Sequence, residues 1–282
     1  MSAEATALSR RVAAPVVQPQ SGSRFASRVW SACWPKLAAV GMALAIWQAV
    51  YLSGWRPPWV LPSPATTFSS LSQILQTSQF WQSLGTTMQR AVIGFLLAVL
   101  IGSVIGIAVS RVRVLRLAVG SMITGLQTMP SIAWFPLAIL VFGLSEQAIL
   151  FVVVLGAAPS AANGIISGID HIPPQQLRLG RTLGARGWAL YRNFVIPSAM
   201  PAVLTGLKQG WAFAWRSLMA GELLVTLGHY ALGQQLSQAR DVSDAPGLIS
   251  YMIIILVIGM GVDSLFNAAD LRLRQRRGLV ER

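Results

Sequence analysis

Apolar residues occur along this chain in long runs separated by short polar intervals rich in arginine. A hydrocarbon core of about 30 Å takes roughly 20 helical residues. Six stretches approach that length, at about 37–52, 84–109, 115–142, 147–169, 198–227 and 248–266. The pattern predicts an all-α integral membrane protein with about six transmembrane helices. Residues 1–36 come before the first run and are rich in Ser, Ala, Pro and Gln. They lack the compact apolar core of a signal peptide and are expected to form a disordered tail. The plan is therefore a tail at 1–36, a membrane domain at 37–267 and a basic tail at 268–282.

Two stretches depart from plain spans. In the third run, Pro130 and Pro136 each lack a helix donor, which predicts a kink near Ser131 to Trp134. Freed carbonyls at membrane depth are tolerated only where protein or a water-filled cavity covers them. Ser131 and Trp134 are thus candidates for lining a path, with ordinary packing as the alternative. Segment 170–197 is too polar to span and too long for a tight turn. There Leu177, Leu179, Leu183, Trp188 and Tyr191 interleave with Arg178, Arg181, Arg186 and Arg192, and the pattern predicts short helices outside the bilayer.

Smaller signals fill in the plan. Leu61-Pro62-Ser63-Pro64 precedes Phe68, Leu71 and Leu75 on one helical face, with Ser63 placed as N-cap and Pro64 as first helical residue. This interfacial helix either covers the ends of the bundle or docks an outside partner. Gly102 and Gly106, Gly164 and Gly168, and Gly206 and Gly210 each have the spacing of closely packed membrane helices. Trp47, Trp55, Trp59 and Trp81 are placed to include interface anchors.

Composition strengthens the membrane reading. Of 282 residues 54% are hydrophobic and 11% charged, against about 25% charged in a soluble domain. Mean hydropathy is +0.59. The net charge of +13 would suit nucleic acid in a soluble domain, but the cations lie between the apolar runs and form no single stripe. They set orientation instead. Five lie in the leader (Arg10, Arg11, Arg24, Arg28, Lys36), three after the second run (Arg111, Arg113, Arg116), four in 170–197, and five in the C-terminal tail (Arg272, Arg274, Arg276, Arg277, Arg282). The opposite loops hold Arg56 and Arg240. Lysine and arginine collect in cytoplasmic loops, so both termini are expected in the cytoplasm.

Candidate chemistry is sparse. One cysteine, Cys33, excludes an internal disulfide and a multi-Cys metal site, and His171 and His229 are too far apart for a helical metal pair. The chain has no Gly-x-x-x-x-Gly-Lys-Ser/Thr loop, Gly-x-Ser-x-Gly elbow or His-Glu-x-x-His pair, so no catalytic residue is assigned. Lys208, Arg216 and Glu222 fall inside the fifth span, where an ion must be paired or face water. At about 100 degrees per residue the three can share one broad face. Lys208 and Arg216 then either favour an anion in passage, through donors suited to sulfonate, nitrate or carboxylate, or form structural pairs, Arg216 with Glu222 or a neighbouring span.

Segment 170–197 resembles the cytoplasmic loop of the integral membrane subunits of ATP-binding-cassette importers. That loop reads Glu-Ala-Ala, three residues, Gly, nine residues, Ile-x-Leu-Pro. Here the frame is Arg178-Leu179-Gly180, Arg181 to Leu183, Gly184, nine residues from Ala185 to Asn193, then Phe194-Val195-Ile196-Pro197. Gly184 and Pro197 fall at the family spacing, while Arg178-Leu179-Gly180 replaces Glu-Ala-Ala. Leu61 to Pro64, Gln127 to Leu137 with Phe142-Gly143, Arg181 to Ala185, and Gly206-Leu207-Lys208 through Glu222 are similar to the aliphatic sulfonate, taurine and nitrate permeases. The resemblance covers about 58–266.

The resemblance implies a type I importer permease in a bacterial cytoplasmic membrane, working as two membrane subunits over two ATPases with a solute-binding protein outside. One chain implies a homodimer. It implies no cofactor on this chain, with ATP and Mg used by the partner ATPase, and no nucleic-acid partner. Segment 170–197 would couple to the ATPase through Arg178, Leu179, Gly180, Gly184, Ala185, Arg186 and Pro197, although Gly184 also fits an ordinary helix C-cap. Ser131, Trp134, Lys208, Arg216 and Glu222 are the candidate translocation path. The cargo expected is a small anion, a sulfonate or taurine ahead of a nitrate-like ion. A neutral or cationic nutrient such as a vitamin precursor is the alternative, and an ATP-independent secondary transporter is the alternative of another class.

Overall fold

The computed structural model describes residues 23–225, 227–228 and 230–276, with side chains from 34 to 275. The leader through residue 22, His229 and the final cations from Arg277 onward lie outside the described residues. The chain divides into two units, 1–56 and 57–282.

Among the described residues the first unit holds one helix, α1 (Ser23–Leu52), of which Trp34–Leu52 is apolar enough to cross a membrane. It begins well before the expected start near residue 37. The stretch 23–36 contains no glycine, and its one proline, Pro35, removes a single donor without stopping the helix.

The second unit holds α2 (Pro64–Leu75), α3 (Ser78–Arg111), α4 (Arg113–Thr128), α5 (Phe135–Phe142), α6 (Glu146–Asp170), α7 (Pro174–Thr182), α8 (Trp188–Leu190), α9 (Ile196–Leu224), α10 (Leu232–Asp241) and α11 (Ala245–Arg276). Among the described residues α3, α6 and α11 join α1 as candidate spans, and the pair α4 and α5 adds a fifth if its two pieces form one span. α9 is 29 residues long, ample for a crossing. Its Lys208, Arg216 and Glu222 dilute its hydropathy.

Hydropathy alone underestimated several helices. α3 starts at Ser78 because Thr77 caps it, its hydroxyl accepting from the Phe80 amide at 3.2 Å. α11 runs past 266 into the expected basic tail, where Asp270 and Arg274 pair one turn apart at 2.8 Å. α2 begins as expected: Pro64 is its first residue, and Ser63 Oγ accepts from the Thr66 amide at 3.1 Å.

α6 is the centre of this unit, with α3 and α9 packed closely on it. The small residues permit the approach. A methyl group added at Gly164 would lie 2.8 Å from Gly206 Cα, and one at Gly168 would lie 2.9 Å from the Ala199 carbonyl oxygen. On the other side of α6, Gly102 faces Ala158 and Ala161, and Gly106 faces Ala162 and Ile165. Phe135, Ile149, Val152, Val153, Trp211 and Leu218 fill the core beside these seams. A second cluster, Phe80, Leu232, Ala239, Tyr251 and Ile254, joins the start of α3 to α10 and α11, with Leu71 and Ile74 of α2 against it.

Candidate functional site

The third span is interrupted where Pro130 requires it. α4 stops at Thr128, a 3-10 turn covers Ser131–Trp134, and α5 leaves at 104° to α4. Pro136 adds no second break. It occupies the second position of α5, where an amide donor is not needed. Trp134 is partly buried against the main core, while Ser131 faces a groove.

That groove, about 390 Å³, is lined by Gln127, Pro130 and Ser131 on the broken span and by Phe213, Arg216 and Ala220 on α9. Arg216 also lines a second groove of about 890 Å³ between α9 and α11, with Trp211, Trp215, Met219, Gly259 and Asp263. Its Nε donates to the Ala212 carbonyl at 3.0 Å, and its guanidinium lies 4.9 Å from the Phe213 ring centroid. No carboxylate pairs with it among the described residues. The wall beside it is polar: Gln127 donates to Ser160 Oγ at 2.9 Å and accepts from Asn163 at 2.8 Å.

Lys208 is placed differently from Arg216. Its ammonium lies 3.4 Å from Asp263 and donates to Asn267 Oδ1 at 2.7 Å, so its charge is already offset across the α9 and α11 seam. Glu222 does not share the face of Arg216. Six residues past Arg216 on an ideal helix is a rotation of about 120 degrees, and Glu222 turns into the bundle at 1% exposure. It accepts from Thr87 Oγ1 at 2.9 Å, from the Gly233 amide at 3.0 Å and from Arg90 at 3.3 Å. Arg90 in turn reaches Glu146 at 2.8 Å, and Thr87 Oγ1 accepts from the Leu232 amide at 2.9 Å. The expected Arg216–Glu222 pair is therefore not formed. Glu222 instead ties α9 to α3 and the start of α10, and Arg90 extends the network to Glu146 at the start of α6.

Sequence reasoning missed Thr87, Gly233 and α10 and gave Arg90 no role. The signal for the pair was present, because two opposite charges inside apolar spans imply a partner. α10 was also legible as Leu232, Gln235, Leu236 and Ala239 at helical spacing.

At the other end of the bundle, 170–197 folds as short helices with a turn between them. α7 ends in a Schellman turn: the Ala185 amide donates to Gly180 O at 2.9 Å, and the Gly184 amide to Arg181 O at 3.0 Å. Gly184 takes φ +81°, the left-handed conformation that this turn needs, and a methyl there would meet nothing within 4 Å. Its backbone role is thus that of a helix C-cap. Gly180 is buried, and a methyl on it would lie 2.8 Å from Leu190 and 3.0 Å from Phe194. A π-turn over Tyr191–Val195 leads into α9, with Pro197 in its first turn. Gln176 accepts from Ser198 Oγ at 2.6 Å, tying α7 to the start of α9. Arg178, Ala185 and Arg186 lie on or beside this turn, and Leu179, Leu183 and Trp188 are more than half exposed.

An all-α bundle with apolar spans, a proline-broken span beside an uncompensated guanidinium, and an exposed pair of short helices defines an integral membrane protein of the transport class. The chain belongs to the family described as the binding-protein-dependent transport system inner membrane component, which matches residues 94–275. It is a multi-pass permease subunit of the ABC importer kind.

Named permeases are among its relatives. It is 31% identical to the riboflavin transport system permease protein of Chloroflexus aurantiacus over 218 residues, 76% of this chain and 80% of that protein. It is 24% identical to the taurine transport system permease protein of Escherichia coli over 250 residues, 87% of this chain and 90% of that one. Among solved structures, an amino acid ABC transporter chain aligns with TM-score 0.56 at 20% identity, over 73% of this chain and 97% of that chain, which shows the fold.

Proposed function

We propose that this chain is the membrane-spanning half of an ATP-driven importer for a small anion, with aliphatic sulfonates or taurine ahead of nitrate-like ions. The observation that carries the reading is Arg216, a guanidinium without a carboxylate partner among the described residues, facing two grooves beside the broken span. A planar guanidinium offers paired donors to sulfonate or nitrate, and a cation within a span must be paired or face water, where an anion can reach it. The taurine permease among the relatives supports the same chemistry. Ser131 and Arg216 form the path, Trp134 backs it, and Lys208 lies at its edge with its charge offset by Asp263. Glu222 supports the bundle from behind.

Two copies of the chain work with two ABC ATPases, which bind ATP and Mg, and with an extracytoplasmic binding protein. Both termini and 170–197 face the cytoplasm, where the arginines concentrate. The exposed Leu179, Leu183 and Trp188, flanked by Arg178 and Arg186, supply an apolar surface for the ATPase. Gly180, Gly184, Ala185 and Pro197 shape that surface.

A second reading, transport of a neutral or cationic nutrient, is favoured by the riboflavin permease among the relatives. Initial uptake by the assembled transporter in vesicles separates the two. On the anion reading Arg216→Gln lowers sulfonate uptake about tenfold or more, an ion-mediated hydrogen bond being worth roughly 1.5–3 kcal/mol, and Arg216→Lys recovers part of it. Equal loss for a sulfonate and a neutral vitamin precursor would overturn the anion assignment.

A further inference from the structure

Where α3 and α6 end, they enclose a cavity of about 520 Å³ together with α7, the turn at Tyr191 and the start of α9. This lies within the range of about 300–1,000 Å³ usual for small-ligand sites. Ile107, Ile165, Ile169, Leu177, Met200 and Val203 make its wall aliphatic, and its polar side chains are Arg111, Arg181 and Tyr191. Arg111 is the last residue of α3, its guanidinium 5.0 Å from the Tyr191 ring centroid. Arg181 lies in the last turn of α7. Both are exposed, and neither has a carboxylate partner among the described residues, whereas Arg116 pairs with Asp170.

We propose that this cavity holds an acyl chain of an anionic phospholipid whose phosphate rests on Arg111 and Arg181. A free anion would use the arginines and leave the aliphatic wall wet, while an uncharged lipid would fill the wall and leave both cations unmatched. An anionic phospholipid satisfies both, and the site lies at the end of two spans, where headgroups are found. Bound there, the lipid joins α7 to α3 and α9, so bilayer composition acts on the short-helix segment directly. The inference goes beyond transport and stands whichever solute is carried.

The test uses the full-length chain, delipidated in detergent and titrated with phosphatidylglycerol or with phosphatidylcholine of the same acyl chains. Retained lipid is counted by native mass spectrometry. The expected result is one phosphatidylglycerol per chain held in preference to phosphatidylcholine. Arg111→Gln with Arg181→Gln weakens that binding about tenfold or more, and Met200→Trp weakens it by occupying the cavity. Arg111→Lys with Arg181→Lys keeps the charge and retains most of the preference. Equal retention of the two lipids by the unaltered chain overturns the proposal, as does full displacement of phosphatidylglycerol by inorganic phosphate. If the double Gln variant does not fold, the lipid comparison on the unaltered chain and the Met200→Trp result decide.

Discussion

Arg90 and Glu222 meet inside the bundle at 3.3 Å, the carboxylate fully enclosed and the guanidinium 5% exposed. Each comes from a different long helix, and the pair is satisfied further by Thr87, Gly233 and Glu146. Such a pair adds little net stability over an apolar substitute, yet losing one member leaves a buried charge unpaired. Arg90→Ala is expected to cost about 3–5 kcal/mol. Glu222→Gln, which keeps a side-chain acceptor for Thr87 and the Gly233 amide, should cost less. Thermal unfolding of the purified chain in detergent measures both, and equal losses would contradict the account of the network.

The seam between α6 and α9 makes the second prediction. A methyl group at Gly206 would lie 2.5 Å from Gly164 Cα, backbone against backbone, with no flexible side chain to yield. Gly206→Ala should destabilise by about 1–3 kcal/mol as overpacking. Gly120→Ala on α4, where nothing lies within 4 Å, should gain roughly 0.5–1 kcal/mol. Opposite shifts in melting temperature are the expected outcome.

Gly184 separates two explanations of one residue. If its conformation is all that matters, Gly184→Asn, which tolerates a positive φ, should preserve ATP hydrolysis stimulated by the loaded binding protein. Gly184→Val should reduce it through strain in the turn. Gly184→Trp should insert normally into the membrane yet respond poorly to the binding protein, because bulk is added on the docking surface. Full stimulation in the Trp variant would remove Gly184 from that surface.

Lys208 and Arg216 should behave unequally in transport. Lys208→Gln disturbs a partly exposed pair with Asp263, and such pairs are worth about 0–1 kcal/mol. Its effect on anion uptake should remain within about fivefold on that scale. Arg216→Gln should have the larger effect. Competition uptake with a sulfonate measures the difference, and the reverse order would move the path from Arg216 to Lys208.

Much of this architecture was legible because membrane crossing leaves a coarse signal: run length, a proline break at Pro130, and paired glycines at four-residue spacing. The segment from 170 to 197 was legible too, since its composition cannot cross lipid. Polar helix ends were not, because the first turn of α3 and the last turns of α11 form through capping and local pairs that hydropathy averages away. The partner of Glu222 was ambiguous for another reason. Helical angles within α9 rank its faces, but they do not say which neighbour brings Arg90 to the same depth.

The Gly180 contact also sets how motion travels. With Gly180 seated against Leu190 and Phe194 and Gln176 bonded to Ser198, α7 has little slack against the root of α9. α9 then continues as helix over the 19 residues from Ser198 to Arg216, a rise of about 27 Å, with Pro201 in its early turns. On the coupling role proposed for 170–197, a tilt of the short helices would be carried along α9 toward the guanidinium of Arg216.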